Sequence, residues 1–600
     1  MTTDQKNPGQ DVSELNENLA RIETLSARLS AVLAGRKAVR QSLQGPGQDF
    51  LLKTSTAYWN ELMTNPAKII EQQVNFWGKS LQHAMEAQQA LTEGMKTGEF
   101  KAPEAPTTKD RRFSNPLWDT HPYYSYLKQQ YLLAAEAMHE NLDRVEGLSE
   151  RERTKLAFFN QQLIDLMSPT NYLATNPDAM ERAIETEGRS LVDGLENLVN
   201  DLEANDGELL VKLVDESAFE VGGNIATTEG SVVFRNRMIE LIQYAPTTEQ
   251  VHARPLIIFP PWINKFYILD LKEQNSLIKW IVDQGYTLFV VSWANPDESY
   301  RDVGMGTYIE EGYLAAIEEV KKITKQKKVN VVGYCIAGTT LSLTLSLMKK
   351  RGDNSINSAT FFTTLTDFSD QGEVGVFLDD DFVDGIEEEV NSKGYLDSFF
   401  MSRTFSYLRP NDLVYGPAIN SYMLGKTPPA FDLLYWNGDS TNLPARMTVE
   451  YLRGLCQGNE FALGDFELLG EHLSIEDVDV PLCAIACETD HIAAWKSSYI
   501  GMRRTTSKDR TFIVSESGHI AGIVNPPSKK KYGHYTNTEW PQRADDWMEG
   551  ATFHEGSWWG RWDKWLSAKS GKKQAARVPG DSTNDVLAPA PGTYVVAKKS

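Results

Sequence analysis

The sequence predicts an α/β architecture: a mostly parallel sheet with helices on both faces, an inserted cap, and a helical N-terminal domain. Three observations predict it. From residue 255 short apolar runs alternate with helical stretches, the pattern of right-handed strand-helix-strand crossovers. One run, "VNVVGY", ends in a tight turn, "GYCIAG", that opens directly into a helix. Before about residue 218 the apolar spacing is helical throughout.

The elements follow in chain order. Residues 1–96 form an amphipathic helical region, because "VSELNENLARIETLSARLSAVLAG" and "WNELMTNPAKIIEQQVNFWGKSLQHAMEAQQAL" repeat apolar residues every three or four positions. Such helices either pack on their own or a sister chain, or attach to a hydrophobic particle or partner. The Pro, Thr and charge of "TGEFKAPEAPTTKDRRFS" mark a linker over 97–114. A helical N-terminal domain follows over 115–217, one of its helices stopping at Ser168-Pro169. From 218 the period changes, and "FEVGGNIATTEGSVVF" alternates as antiparallel strands do. The runs "PLIIFPP", "TLFVVSW", "VNVVGY", "SATFFTTL", "VPLCAIAC" and "RTFIVS" then supply the core strands of a domain ending near 567. Acidic and aromatic sequence over about 367–445 interrupts the alternation, so we expect a cap over the strand ends. The Lys-, Ala-, Pro- and Gly-rich residues 568–600 are expected to be a flexible C-terminal tail.

Composition narrows the function. Six hundred residues with a formal charge of −22 argue against general affinity for nucleic acid or anionic lipid, since both require a basic surface. The four cysteines are too few and too unevenly spaced for a disulfide framework or a four-ligand zinc site, which fits a reducing cytosol. The N-terminus has no secretory pattern, and no apolar run approaches the ~20 residues needed to span a bilayer.

Chemistry concentrates at three strand ends. A strand, a tight turn carrying Cys335 and a helix reproduce the nucleophile elbow of α/β-hydrolases, with Cys in place of the common Ser. The competing reading is an inert buried cysteine in a glycine-containing turn. Order in the chain favours the elbow: an acid after a later strand and a histidine after the last are required, and Asp490 in "CETDH" and His519 in "SESGHIAG" occupy those places. His491, beside the acid, takes a structural or supporting role. Cys483 and Cys487 lie within one strand and read as core. A thiolate suits acyl transfer from a thioester, and a helix N-terminus favours the anion. Backbone amides of Ile336 and of the turn at Trp262–Ile263 are the candidates for the oxyanion hole.

Together the stretches "NPLWDTHPYYSYLKQQYLL", "SPTNYLATNP", "FEVGGNIATTEGSVVF", "PPWINKFYILDL", "VSWANPD", "GYCIAGT", "FSYLRPNDLV", "FDLLYWNGDSTNLP", "TDHIAAW", "SGHIAGIVNPP" and "GSWW" resemble a class I polyhydroxyalkanoate synthase from about residue 111 to 565. That resemblance implies polymerisation of (R)-3-hydroxyacyl-CoA, short chain such as 3-hydroxybutyryl-CoA, into polyester with release of CoA. It places nucleophile, acid and base on Cys335, Asp490 and His519. It implies no metal or bound cofactor, a homodimer, and a cytoplasmic location on polyester granules. Two departures stand out: Ala337-Gly338 replaces the family's usual Gly-Gly after the elbow, and Trp262 stands where many relatives have Cys. The alternatives are an acyl-CoA thioesterase using the same triad, or a non-catalytic granule scaffold. Trp436 and the other cap aromatics either pack or line access to the site.

Overall fold

The computed structural model describes residues 8–35 and 66–597, apart from 105, 107, 144, 146 and 581–585. It divides into two compact units, residues 1–215 with 405–429, and residues 216–404 with 430–600. Residues 1–7 and 36–65 of the expected N-terminal helical region lie outside the described residues.

The first unit is helical. Its long helices are α1 (Pro8–Gly35), α2 (Pro66–Thr97), α3 (Pro122–Asp143), α4 (Glu150–Leu166) and α5 (Arg189–Ala204). Leu25 of α1 is buried against Val192 and Val199 of α5, and Arg21 reaches Asp193 and Glu196 at the margin of that contact. Ser149 and Glu152 form a reciprocal capping box that starts α4. The end of the expected linker is ordered into this unit: Asp110 caps a turn at Arg111–Phe113, and Phe113 is buried with Trp118, Tyr131 and Ile164. Residues 405–429, expected as part of the cap, also belong here. Asn197 of α5 donates to the Ser421 carbonyl at 3.1 Å, and Tyr422 donates to Asp201 at 2.7 Å. On α2, Val74, Trp77, Leu81 and Met85 form an exposed apolar stripe at helical spacing.

The second unit is built on an eleven-stranded sheet. Its strands are β1 (Gly230–Arg235), β2 (Ile239–Tyr244), β3 (Leu256–Phe259), β4 (Leu288–Trp293), β5 (Val329–Tyr334), β6 (Ile356–Phe362), β7 (Leu482–Cys487), β8 (Arg510–Ser515), β9 (His534–Thr536), β10 (Thr552–His554) and β11 (Ala588–Pro589). Their order is β10-β9-β8-β7-β6-β5-β3-β4-β2-β1-β11. The six strands β4, β3, β5, β6, β7 and β8 pair in parallel, and the flanking pairs are antiparallel. Strands β3 to β5 are buried at every residue, which is why they read as continuous apolar runs rather than alternation. Helices α6 (Leu277–Asp283), α7 (Ala315–Thr324), α8 (Ile336–Lys350), α9 (Trp495–Arg504) and α10 (Trp559–Ser567) cover the faces.

The chain leaves the sheet at residue 362 and returns at 482, a longer excursion than the expected 367–445. It continues through helical turns to Gln457 and a short hairpin at Phe466–Leu468 and Glu471–Leu473. The segment expected to be a flexible tail instead carries strands. Lys573–Ala575 pairs with Gln250–His252, and β11 extends the main sheet beside β1. Backbone pairing and single anchoring side chains hold it, neither of which leaves a periodic signal in sequence. No helix among the described residues is long and apolar enough to cross a membrane.

Candidate active site

β5 ends at Tyr334, and Cys335 takes φ 56° and ψ −126° before α8 begins at Ile336. A side chain other than glycine in this region carries strain on the order of 1–3 kcal/mol, so its surroundings must hold it there. They do so by close approach. A Cβ on Gly333 would lie 2.5 Å from the Gly338 Cα, and one on Gly338 would lie 2.0 Å from Thr364 Oγ1. The Cys335 N–H donates to the Phe362 carbonyl at 2.7 Å, while the Gly338 N–H and the Thr364 hydroxyl donate to the Cys335 carbonyl at 2.9 and 3.2 Å. The extra methyl of Ala337 is fully buried, and its carbonyl accepts the Tyr313 hydroxyl at 2.8 Å. The elbow therefore forms with Ala at that position.

Residues Ile336 to Met348 of α8 are buried all round, although the helix carries Thr339, Thr340, Ser342, Thr344 and Ser346. The hydroxyls are satisfied locally or by neighbours: Thr344 bonds to the Thr340 carbonyl, Thr339 to the Leu365 carbonyl and Ser346 to Asp477. Small side chains let this helix run close beneath the sheet without orphaned polar atoms.

The acid and the base arrive from β7 and β8. The Asp490 Oδ1 accepts the Ile492 and Ala493 amides at 2.8 and 2.9 Å, and its Oδ2 faces His519 Nδ1 at 2.7 Å. That orients the imidazole with Nε2 turned away from Asp490, and the Cys335 sulfur lies close enough to the ring to favour its protonated form. Both Asp490 and His519 are 8% exposed, while Cys335 is half-buried. Burial pulls the His519 pKa down, but the Asp490 carboxylate and the Cys335 sulfur outweigh it and raise it well above its ordinary value. The structure thus brings together the three side chains expected from the sequence.

Residues the sequence reading did not single out hold this row. The Tyr334 ring stacks on the imidazole with centroids 5.9 Å apart, and its hydroxyl donates to the His519 carbonyl at 3.3 Å. The Trp558 indole donates to the Gly522 carbonyl at 2.7 Å and secures the His519 turn. Tyr334 was findable as the residue preceding the nucleophile; Trp558 stands in "GSWW", but its pairing with a carbonyl 36 residues away left no local signal. Cys483 and Cys487 are fully buried in β7, where burial pushes their thiols well above the ordinary range, and burial pushes Cys456 up to about 12.

Of the oxyanion candidates, Ile336 is the first residue of α8, so its N–H has no acceptor within the helix. Ile263 lies in the turn after β3. The Trp262 indole donates to Thr340 Oγ1 at 3.1 Å and fastens this turn to the first turns of α8. Thr441 fixes it from the other side, its hydroxyl donating to the Trp262 carbonyl at 2.7 Å and its N–H to the Ile263 carbonyl at 3.1 Å. Trp436 is buried and donates to the Lys265 carbonyl at 2.7 Å, so it packs and braces the same stretch.

Residues 109–281 match the family described as "Poly-beta-hydroxybutyrate polymerase (PhaC) N-terminus", and 255–526 match the family described as "alpha/beta hydrolase fold". The chain is 42% identical to the poly(3-hydroxyalkanoate) polymerase of Methylorubrum extorquens over 559 residues, 93% of this chain and 92% of that one. It is 38% identical to the poly(3-hydroxyalkanoate) polymerase subunit PhaC of Rhizobium etli, over 98% of this chain and 93% of that one. It is 41% identical to the subunit of the same name from Cupriavidus necator, over 87% and 88%. An α/β-hydrolase sheet with a strained cysteine elbow, matched over nearly its whole length by these relatives, makes this chain an enzyme of the poly(3-hydroxyalkanoate) polymerase family.

Proposed function

We propose that the chain polymerises (R)-3-hydroxyacyl-CoA, of short acyl length, into polyester through a covalent acyl-cysteine and releases CoA. The observation that carries this reading is the Asp490–His519 hydrogen bond at the ends of the neighbouring strands β7 and β8, with Cys335 at the end of β5 close enough to favour the protonated imidazole. His519 takes the thiol proton, and Cys335 Sγ attacks the thioester carbonyl; the S–C bond to the enzyme forms as the bond to CoA sulfur breaks. The imidazolium returns its proton to the departing thiolate. The amides of Ile336 and Ile263 stabilise the oxyanion. His519 then deprotonates the 3-hydroxyl of the acceptor, whose oxygen attacks the acyl thioester; an ester forms and the Cys335 thiolate is regenerated. Asp490 holds the imidazole through Nδ1 and balances its charge.

The exposed stripe on α2 supports attachment to an apolar polyester surface, and hence a cytoplasmic, granule-bound enzyme. Activity as a homodimer is part of the same reading. Incubation with 3-hydroxybutyryl-CoA and with a medium-chain homologue, following thiol release and turbidity together, tests it. Thiol release with turbidity supports polymerisation. Thiol release with free hydroxy acid and a clear solution means a thioesterase, and no release means a scaffold.

A further inference from the structure

The C-terminal segment 588–597 is anchored midway by a buried carboxylate. Beyond β11, fully buried Glu240 accepts the Thr593 and Tyr594 amides at 2.8 and 2.9 Å and the Thr593 hydroxyl at 2.8 Å. Val595 is buried just after this anchor, and Tyr594 donates its hydroxyl to the Asn236 carbonyl at 2.6 Å. Directly after this anchor the segment meets Lys265, whose ammonium donates to the Val595 and Ala597 carbonyls at 2.7 and 3.3 Å.

Lys265 lies two residues beyond Ile263 and is 8% exposed. An ammonium has three protons to place, and at this depth each needs an acceptor. The third acceptor is Asp439 Oδ1 at 2.8 Å, and the other oxygen of that carboxylate takes the Tyr267 hydroxyl at 2.9 Å. Two of the three acceptors are therefore C-terminal backbone. Without them the ammonium would keep only Asp439, and two of its protons would lie buried without an acceptor, a cost that loosens the turn at 262–265 carrying it. Oxyanion donors work only when held to within about 0.5 Å of the productive geometry.

We propose that the C-terminal segment 588–597, acting through Lys265, positions the turn that presents the Ile263 amide to the oxyanion. This rests on the acyl-cysteine reading above and makes Lys265 a positioning residue of that reaction. The test uses the full-length chain with 3-hydroxybutyryl-CoA and follows thiol release. Lys265→Met is expected to lower kcat about tenfold while KM stays within about twofold, because the turn serves the transition state rather than substrate binding. Glu240→Gln, which loosens the adjoining Thr593–Tyr594, is expected to lower kcat similarly. The double variant should lose no more than the worse single one, since both break one linkage.

A folded Lys265→Met with the parent kcat overturns the proposal, and so does a double variant whose losses multiply. Should a variant fail to fold, Tyr594→Phe removes only one hydroxyl and is expected to lower kcat about threefold at unchanged KM; a parent kcat in it overturns the proposal equally. Cys335→Ala in the same assay separates the two levels of failure. Thiol release by that variant overturns the nucleophile assignment, whereas its silence beside an unaffected Lys265→Met overturns the positioning alone.

Discussion

His519 sits between a carboxylate and a sulfur, and both favour its protonated form against the opposing effect of burial. Its folded-state pKa is raised above the 6.5 of an ordinary histidine. The stability this contributes is fully present below that pH and is lost as pH rises through the raised value. Asp490→Asn removes the larger electrostatic partner, so its Tm deficit against the parent protein should be greatest below about pH 6.5 and shrink at alkaline pH. A melting series across pH checks this, and a deficit that grows with pH contradicts it. In the acylation assay the same variant should still release some CoA but elongate poorly. Trp262, 1% exposed and bonded to Thr340, is the other residue whose role depends on depth. Trp262→Ala should cost about 3–5 kcal/mol in urea denaturation, through the cavity it leaves and the hydroxyl it strands.

Among the elements, the elbow and the two ends of the excursion between β6 and β7 decide where the site lies. A methyl on Gly338 would meet Thr364 Oγ1 at 2.0 Å, so Gly338→Ala should destabilise the chain by about 1–3 kcal/mol and displace Cys335 enough to depress thiol release. The excursion is stapled by Asp367, which accepts Arg504 of α9 at 3.0 Å, Asn459 at 3.0 Å and the Ser369 amide at 2.9 Å. Burial works against its ionised form, but these hydrogen bonds prevail and hold its pKa below the usual value. Asp367→Asn should lower Tm at neutral pH, with the difference fading as pH falls through the carboxylate range in both forms. The strands and the elbow were legible because each is a local pattern: "VNVVGY" is apolar along its length and "GYCIAG" supplies glycine on both sides of Cys335. The placement of 405–429 with the N-terminal helices was not, because it rests on pairs such as Tyr422 with Asp201, separated by 221 residues. The ordering of 588–597 rests likewise on Glu240 and Lys265, far away in the chain.

For the molecule as a whole, the proposed function joins a strained cysteine and an oriented imidazole to an exposed apolar helix face. Leu81→Glu with Met85→Glu on α2 should leave thiol release from dissolved 3-hydroxybutyryl-CoA unchanged while weakening adsorption to polyester particles about tenfold or more, as loss of two exposed apolar side chains that adsorption would bury requires. A sedimentation assay with washed particles reads that outcome, and undiminished adsorption would assign the stripe to packing instead. The central claim is that the growing ester is carried on one sulfur. Mass spectrometry of the parent protein, quenched in acid within the first turnovers of 3-hydroxybutyryl-CoA and digested, tests it most directly. The account predicts a hydroxyacyl group on the peptide that contains Cys335 and none in Cys335→Ala; an acyl group on another residue, or turnover by Cys335→Ala, would contradict it.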